Sequence, residues 1–361
     1  DPKITPTLYM MANHGFVFEN FYNPVWGVST SDGEYVVLTR LIPKSGVWSL
    51  ATSSTNNMLF TYGRQFEKLD YHTMAFHNHT YTYYRRHLSH PNLGYEYIGV
   101  GNGLNISRVW PPSDLEMVEE TVHRYVDKVP FHTYYMTVSG HQFYTFSGNM
   151  MSYKNREAVS HLPYSTNVKA YLAAQIEFEK SMENLLQQLK DAGQYENTVI
   201  VISSDHYPYG LTQAEIEELA GKPIDQQFEL YRSSLIIYNP GIEPTTISRY
   251  TSSLDILPTV SNLFGLDYDS RMMAGTDIFS EQPEIVIFNN RSFIIKEGRY
   301  NARTKEFTPH QGFEMIDKET LDKWIRYVNA KFYYSTKILE EDYYDIISRF
   351  APPKDHGDIM Q

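Results

Sequence analysis

Thr198-Val199-Ile200-Val201-Ile202-Ser203-Ser204-Asp205-His206 is the stretch that decides the fold. Its first five residues are all β-branched, and the apolar run predicts a short strand buried on both faces. Polar residues follow at once, and the carboxyl ends of strands are where α/β sheets hold their ligands. Upstream, Val168, Leu172, Ile176, Met182, Leu185 and Leu189 recur at helical spacing between Asn167 and Leu189. Gly193 is placed to stop that helix. A helix, a short turn and a buried strand with a polar end make an α/β unit.

Working outward, Thr133–Val138, Ser234–Tyr238 and Glu284–Phe288 read as further strands. At the start, Thr5 is a predicted N-cap with Pro6 at the first helical position, and Gly15 is expected to end that helix. Phe16-Val17-Phe18 then leads an extended stretch through Tyr22. The segment from Pro283 to Glu306 reads as short strands with a turn at Glu297-Gly298. A final helix is expected from about Lys318 to Leu339, with a tail beginning at Ala351-Pro352-Pro353. The expectation is an α/β protein with a central, mostly parallel sheet flanked by helices, in residues 1–281. Residues 282–361 are expected to add a small antiparallel sheet, the long helix and the tail.

The 361 residues carry 42 % apolar and 20 % charged side chains, a globular composition with ample core. Cysteine is absent, which excludes disulfides, thiolate metal sites and a cysteine nucleophile. A formal charge of −12 argues against general binding to nucleic acid or to an anionic membrane surface. No run approaches the roughly 18–20 apolar residues that cross a bilayer. Tyrosine is abundant, at 30 residues, and composition alone does not say why.

Four short constellations could carry chemistry. Asp205-His206 offers a carboxylate and an imidazole to a divalent ion, or simply a hydrogen-bonded turn. Ser29-Thr30-Ser31-Asp32-Gly33-Glu34 precedes the helix-compatible Tyr35-Val36-Val37-Leu38. That places a hydroxyl at a helix N-terminus, where backbone N–H groups favour a phosphate, although the same residues also serve as plain N-caps. Tyr83-Tyr84-Arg85-Arg86 follows Ala75-Phe76-His77-Asn78 and supplies a guanidinium fork for phosphate oxygens, or a solvated pair. Thr137-Val138-Ser139-Gly140-His141 puts an imidazole just past a predicted strand, where a structural histidine is the ordinary reading.

Together and in this order the four resemble one family. Pro6-Thr7-Leu8, Gly15 and Phe18, Phe21-Tyr22, Thr30-Ser31-Asp32 with Glu34, Ala75-Phe76-His77 and Arg86 carry the first half of the likeness. Leu93-Gly94-Tyr95, Thr137-Val138-Ser139-Gly140-His141, Ser204-Asp205-His206-Tyr207 and Asp255-Ile256-Leu257-Pro258-Thr259 carry the rest, so that it spans roughly residues 5 to 280. The chain resembles the extracellular catalytic domain of lipoteichoic acid synthases, within the alkaline phosphatase/sulfatase superfamily.

That resemblance implies an alkaline-phosphatase-like fold and a glycerophosphotransferase. Thr30 matches the nucleophile, itself a metal ligand, and Asp205 and His206 match two further ligands of Mn²⁺ or Mg²⁺. Arg86 and His141 match contacts to the phosphate or glycerol of the substrate, His77 a histidine beside them, and Tyr84 stands where the family often has tryptophan. The implied partners are phosphatidylglycerol and a glycerol-phosphate polymer, with no nucleic acid. The implied location is the extracytoplasmic face of a Gram-positive-type cell membrane, reached through an anchor outside this chain. The family also has a glutamate ligand on a strand just before the first matching segment. No residue here matches it; it is expected before Asp1, and the chain as given is expected to bind metal poorly.

Rival chemistries remain in view. Sulfatase chemistry needs Cys or Ser in a C/S-x-P-x-R frame, and no residue here provides it. A phosphoethanolamine transferase shares the threonine and metal, but its better-known members are stapled by disulfides. A phosphodiesterase or phosphatase would put water in place of the acceptor hydroxyl. A non-catalytic polymer-binding relative would suit the missing carboxylate and the tyrosine excess.

Overall fold

The computed structural model describes residues 2–266 and 268–350. The tail expected from Ala351-Pro352-Pro353 lies outside the described residues. Twelve strands among the described residues form three four-stranded sheets. In chain order they are β1 (Phe16–Tyr22), β2 (His72–Thr80), β3 (Glu96–Val100), β4 (Gly103–Leu104), β5 (Phe131–Met136), β6 (Ile200–Ser203), β7 (Leu235–Tyr238) and β8 (Thr245–Ser252). The C-terminal part adds β9 (Ile285–Ile287), β10 (Phe293–Ile295), β11 (Gly298–Asn301) and β12 (Glu306–Pro309).

One sheet, ordered β4-β3-β2-β5, is parallel throughout. A second, ordered β6-β7-β1-β8, joins β1 and β8 in parallel, while β6, β7 and β1 alternate in direction. The third, β12-β11-β10-β9, is antiparallel, and its tight β10–β11 hairpin turns at Lys296-Glu297, one residue before the turn expected at Glu297-Gly298. The fold is therefore α/β with a separate small antiparallel sheet, as the sequence predicts.

Alternation along the strands builds three layers, because successive side chains leave a strand on opposite faces. On β2, Ala75 enters one core, and Met74 and Phe76 the other. On β7, Leu235 and Ile237 share the core of Ala75, and Ile236 and Tyr238 that of Phe76. The long helix Thr166–Asp191 lays Met182, Leu185, Leu186 and Leu189 on the second core, which takes residues from β2, β3, β6 and β7. One helix thus bridges the first two sheets. The helix Ser29–Thr39 packs Tyr35 and Leu38 on the opposite face, with Phe21, Leu257 and Ile338. The helix Lys318–Glu340 returns to the body of the protein, with Val328 joining Trp26, Val36, Ile42 and Phe293 in one cluster; it is not the final helix expected, since Tyr343–Phe350 forms another after it.

Two further sequence expectations are corrected. The strand predicted over Thr198–Ile202 is not buried on both faces. Its strand-paired part, β6, is the outer strand of its sheet, and Val201 is 37 % exposed. A β-branched run fits an edge as well as a centre, and pairing, which composition does not encode, decides between them. Gly15 does not end the first helix, which stops at Asn13 with His14 as its C-cap. It sits instead against β7, where a Cβ would lie 2.2 Å from the Ile237 carbonyl oxygen, so glycine is required for strand approach. The first amides of that helix, Thr7 and Leu8, donate to Glu179 of the long helix at 2.6 and 3.0 Å. A carboxylate there suits the exposed N–H groups and the dipole. No helix among the described residues is long and apolar enough to cross a membrane.

Candidate functional site

The polar ends of β5 and β6 and the N-terminus of the Ser29–Thr39 helix surround one cavity of about 300 Å³. Thr30, Asp205, His206, Arg86, His141, Tyr84 and His77, all singled out from sequence, line it together.

Thr30 is the second residue of its helix, after Ser29 with φ +43°. The serine and threonine hydroxyls do not cap this helix; the Asp32 carboxylate accepts the Val28 N–H at 2.7 Å instead. Burial pushes the Asp32 carboxyl up to about 6, against that hydrogen bond. The Thr30 hydroxyl is left facing Nε2 of His206 at 3.3 Å. Gly33 makes this meeting possible, since a Cβ there would lie 2.7 Å from the Asp205 carbonyl oxygen. From the other side, the buried Asn23 amide, just past β1, holds the Ser204 carbonyl.

His206 Nδ1 donates to the Tyr207 carbonyl at 2.8 Å, which leaves Nε2 turned toward Thr30 and toward Asp205 Oδ2 at 3.1 Å. An imidazole lone pair facing a carboxylate oxygen needs a cation between them, a proton or a metal ion. Burial disfavours charge on His206, but Asp205 outweighs it and raises the imidazole. Burial would raise Asp205, yet His206 and Thr30 hold its carboxyl below the ordinary value. The three groups therefore suit a divalent cation with oxygen and nitrogen preferences. Among the described residues no three His, Cys, Asp or Glu side chains converge as a metal cluster. Thr30, Asp205 and His206 are three candidate donors, one of them a hydroxyl.

Arg86 is fully buried, its Nε bonded to both Glu34 oxygens at 2.9 and 3.2 Å. Burial alone would raise the Glu34 carboxyl; Arg86, then His90, lower it to about 2. Arg86 Nη1 donates to His77 Nε2 at 3.1 Å, and His77 Nδ1 donates to the Met136 carbonyl at 2.8 Å. Burial and then Arg86 hold the His77 imidazole well below its usual range, so it stays neutral. Tyr84 lies against Arg86, the guanidinium carbon 5.3 Å from its ring centre.

His141 stands on the turn after β5. Asp114 fixes that turn by accepting the Val138 N–H at 2.8 Å, the Ser139 N–H at 3.2 Å and the Ser139 hydroxyl. His141 Nδ1 donates to the Gln142 carbonyl at 2.7 Å, which leaves Nε2 for other work, and Trp110 meets its ring edge-on at 4.9 Å.

Sequence reasoning gave no role to Glu34, His79, Tyr83, Trp110, Asp114 or Tyr209. Glu34 stands four residues after Thr30, on the same helix face, and that spacing is a usable signal. Tyr83 and Trp110 flank His79, with ring centres 4.3 and 5.7 Å from it, and Tyr209 stacks on His206 at 4.3 Å. His79 stands near the end of β2, Tyr83 on the short helical turn after it, and Trp110 and Tyr209 on two further loops, with no common motif.

A family model described as Sulfatase matches residues 1–266. The lipoteichoic acid synthase-like protein YvgJ of Bacillus subtilis is 24 % identical over 357 residues, covering 94 % of this chain and 56 % of its own length. The lipoteichoic acid synthase of Staphylococcus saprophyticus is 25 % identical over 315 residues, covering 82 % of this chain and 47 % of its own. The chain spans about half the length of these curated relatives. Among solved structures, the lipoteichoic acid synthase LtaP of Listeria monocytogenes superposes with a TM-score of 0.78 at 21 % identity, over 93 % of this chain and 86 % of that one. A Vibrio parahaemolyticus protein of the alkaline phosphatase superfamily does so with a TM-score of 0.70 at 16 % identity, over 94 % and 82 %. At such identities these structures establish the fold. With the family model covering well over half of its length, the chain belongs to the sulfatase family, and it is similar to lipoteichoic acid synthases.

Proposed function

We propose that the protein is a metal-dependent glycerophosphotransferase that moves glycerol phosphate from phosphatidylglycerol to a glycerol-phosphate polymer or glycolipid. The observation that carries this reading is the Thr30 hydroxyl, free of any capping role and held 3.3 Å from His206 beside Asp205. Curated relatives named as lipoteichoic acid synthases support the same class of reaction.

Thr30, Asp205 and His206 would hold the divalent ion, Mn²⁺ or Mg²⁺. When bound, such an ion supplies Lewis acidity, which lowers the pKa of a hydroxyl and offsets charge on phosphoryl oxygens. The Thr30 oxygen attacks phosphorus, the bond from phosphorus to the diacylglycerol oxygen breaks, and diacylglycerol leaves with a proton. The terminal glycerol hydroxyl of the acceptor then attacks the glycerophosphoryl-threonine, and Thr30 leaves with its proton restored. Arg86 and the amides at the helix N-terminus stabilise charge on the phosphoryl oxygens. His141, with Nδ1 committed to Gln142, uses Nε2 to pass protons to the leaving oxygen and from the attacking one. Tyr84 and His77 shape the wall around Arg86. The enzyme would act at the extracytoplasmic face of a cell membrane, where both partners reside.

The test is incubation with Mn²⁺ and labelled phosphatidylglycerol, following diacylglycerol release with and without a glycerol-phosphate acceptor. Release that requires the acceptor supports transfer. Release into water alone identifies a phosphodiesterase, and the absence of release under every metal tried overturns the reading.

A further inference from the structure

Arg86 has five N–H donors, and protein groups hold two of them, on two of its three nitrogens. Nε is taken by Glu34 and one Nη1 hydrogen by His77, whose Nε2 must accept because Nδ1 donates to Met136. Nη2 is buried and has no hydrogen-bond partner among the described residues, and Arg86 lines the cavity. Glu34 is itself held by His90 Nε2 at 3.1 Å and by the Tyr134 hydroxyl at 3.3 Å. The guanidinium cannot turn without breaking this frame, and its charge is offset by a carboxylate that is also buried.

We propose that Glu34 is a positioning residue with a second consequence, substrate charge selection. It clamps Arg86 so that Nη2 remains for a phosphoryl oxygen. By neutralising the guanidinium it also makes the site prefer a singly charged phosphodiester to a doubly charged phosphomonoester. This rests on the phosphoryl-transfer reading above and names the residue that sets its preference for a diester. An arginine with no counter-charge in a dry site would favour the dianion, since Coulomb attraction scales with ligand charge. With Glu34 in place the anion meets a pair of zero net charge, and the gain from the second negative charge is lost.

The experiment compares a diester, glycerophosphoglycerol, with a monoester, glycerol 3-phosphate, at pH 8, by calorimetric titration of the protein and of Glu34→Gln and Glu34→Asp. Circular dichroism and thermal melts report the fold of each. The protein is expected to bind the diester more tightly. Glu34→Gln is expected to shift the affinity ratio toward the monoester by about tenfold. Glu34→Asp keeps the charge but shortens the arm, so both ligands should weaken by a similar factor with their ratio unchanged. A purely structural Glu34 would not move the ratio, so a folded Glu34→Gln with the original ratio overturns the proposal. If Glu34→Gln does not fold, Glu34→Asp decides, and a folded Glu34→Asp binding both ligands at full affinity overturns it. A tighter monoester on the unmodified protein does so too. Binding of neither ligand by the unmodified protein is a different signature: it refutes the phosphoryl site itself, and with it this inference.

Discussion

The hydroxyl of Thr30 and Nε2 of His206 stand 3.3 Å apart across 176 residues of chain. The contact joins a helix N-terminus to the loop after β6, and the proposed reaction depends on it. Thr30→Ala should abolish diacylglycerol release while leaving the circular dichroism spectrum and melting temperature unchanged, because the side chain is only half-buried. Retained turnover would refute Thr30 as the nucleophile.

Gly33 sets the approach of the two elements. Gly33→Ala would push a methyl group into the Asp205 carbonyl, now 2.7 Å from the position of that carbon. The helix or the loop must shift by several tenths of an ångström, and a misplacement of that order costs on the order of 10–100-fold in rate. The loss should appear in kcat more than in melting temperature, measured on the same preparation.

Metal binding should be weak. Thr30, Asp205 and His206 supply three donors, one of them a hydroxyl, where Mn²⁺ and Mg²⁺ prefer about six. Calorimetric titration with Mn²⁺ should show low affinity that strengthens when a phosphate ester is added. Tight stoichiometric binding by the chain alone would contradict the donor count.

Acid should destabilise the protein through Glu34. Arg86 and His90, working against burial, depress its folded-state carboxyl to about 2, below its ordinary value of 4.5. The contribution of this carboxylate is complete above that ordinary value and is lost as pH falls from there toward 2. Melting temperature should therefore drop between about pH 4.5 and pH 2 through this group, and between pH 6 and 8 its full contribution should not vary with pH. Glu34→Gln should melt lower at pH 7, since Arg86 is left buried without its counter-charge, and should lose the part of the acid limb that belongs to Glu34.

Much of this was legible in the sequence, for reasons that differ by residue. Asp205 and His206 are adjacent and follow a β-branched run, so local order already places them at a strand end. The helix over Thr166–Asp191 declares itself by spacing, and Gly193, at φ +69°, marks where its chain turns away. Arg86 is different. Its motif suggests a surface pair, and only the fold brings Glu34 and His77 around it, because burial of a charge depends on partners distant in sequence. The edge position of β6 is equally non-local. Part of the tyrosine excess also acquires a place: Tyr95, Tyr97 and Tyr134 ring His90, and Tyr83 and Tyr84 cover Arg86.

The two strands whose carboxyl ends reach the cavity, β5 and β6, are each the outermost strand of their sheet. Among the described residues each has a partner strand on one side only. An unpaired strand rim recruits any extended segment that can complete its ladder. For the chain in hand the consequence is practical. Concentrated preparations should self-associate through these rims, with a light-scattering signal that grows with protein concentration. Lysine placed on the solvent face at Val201 should suppress it.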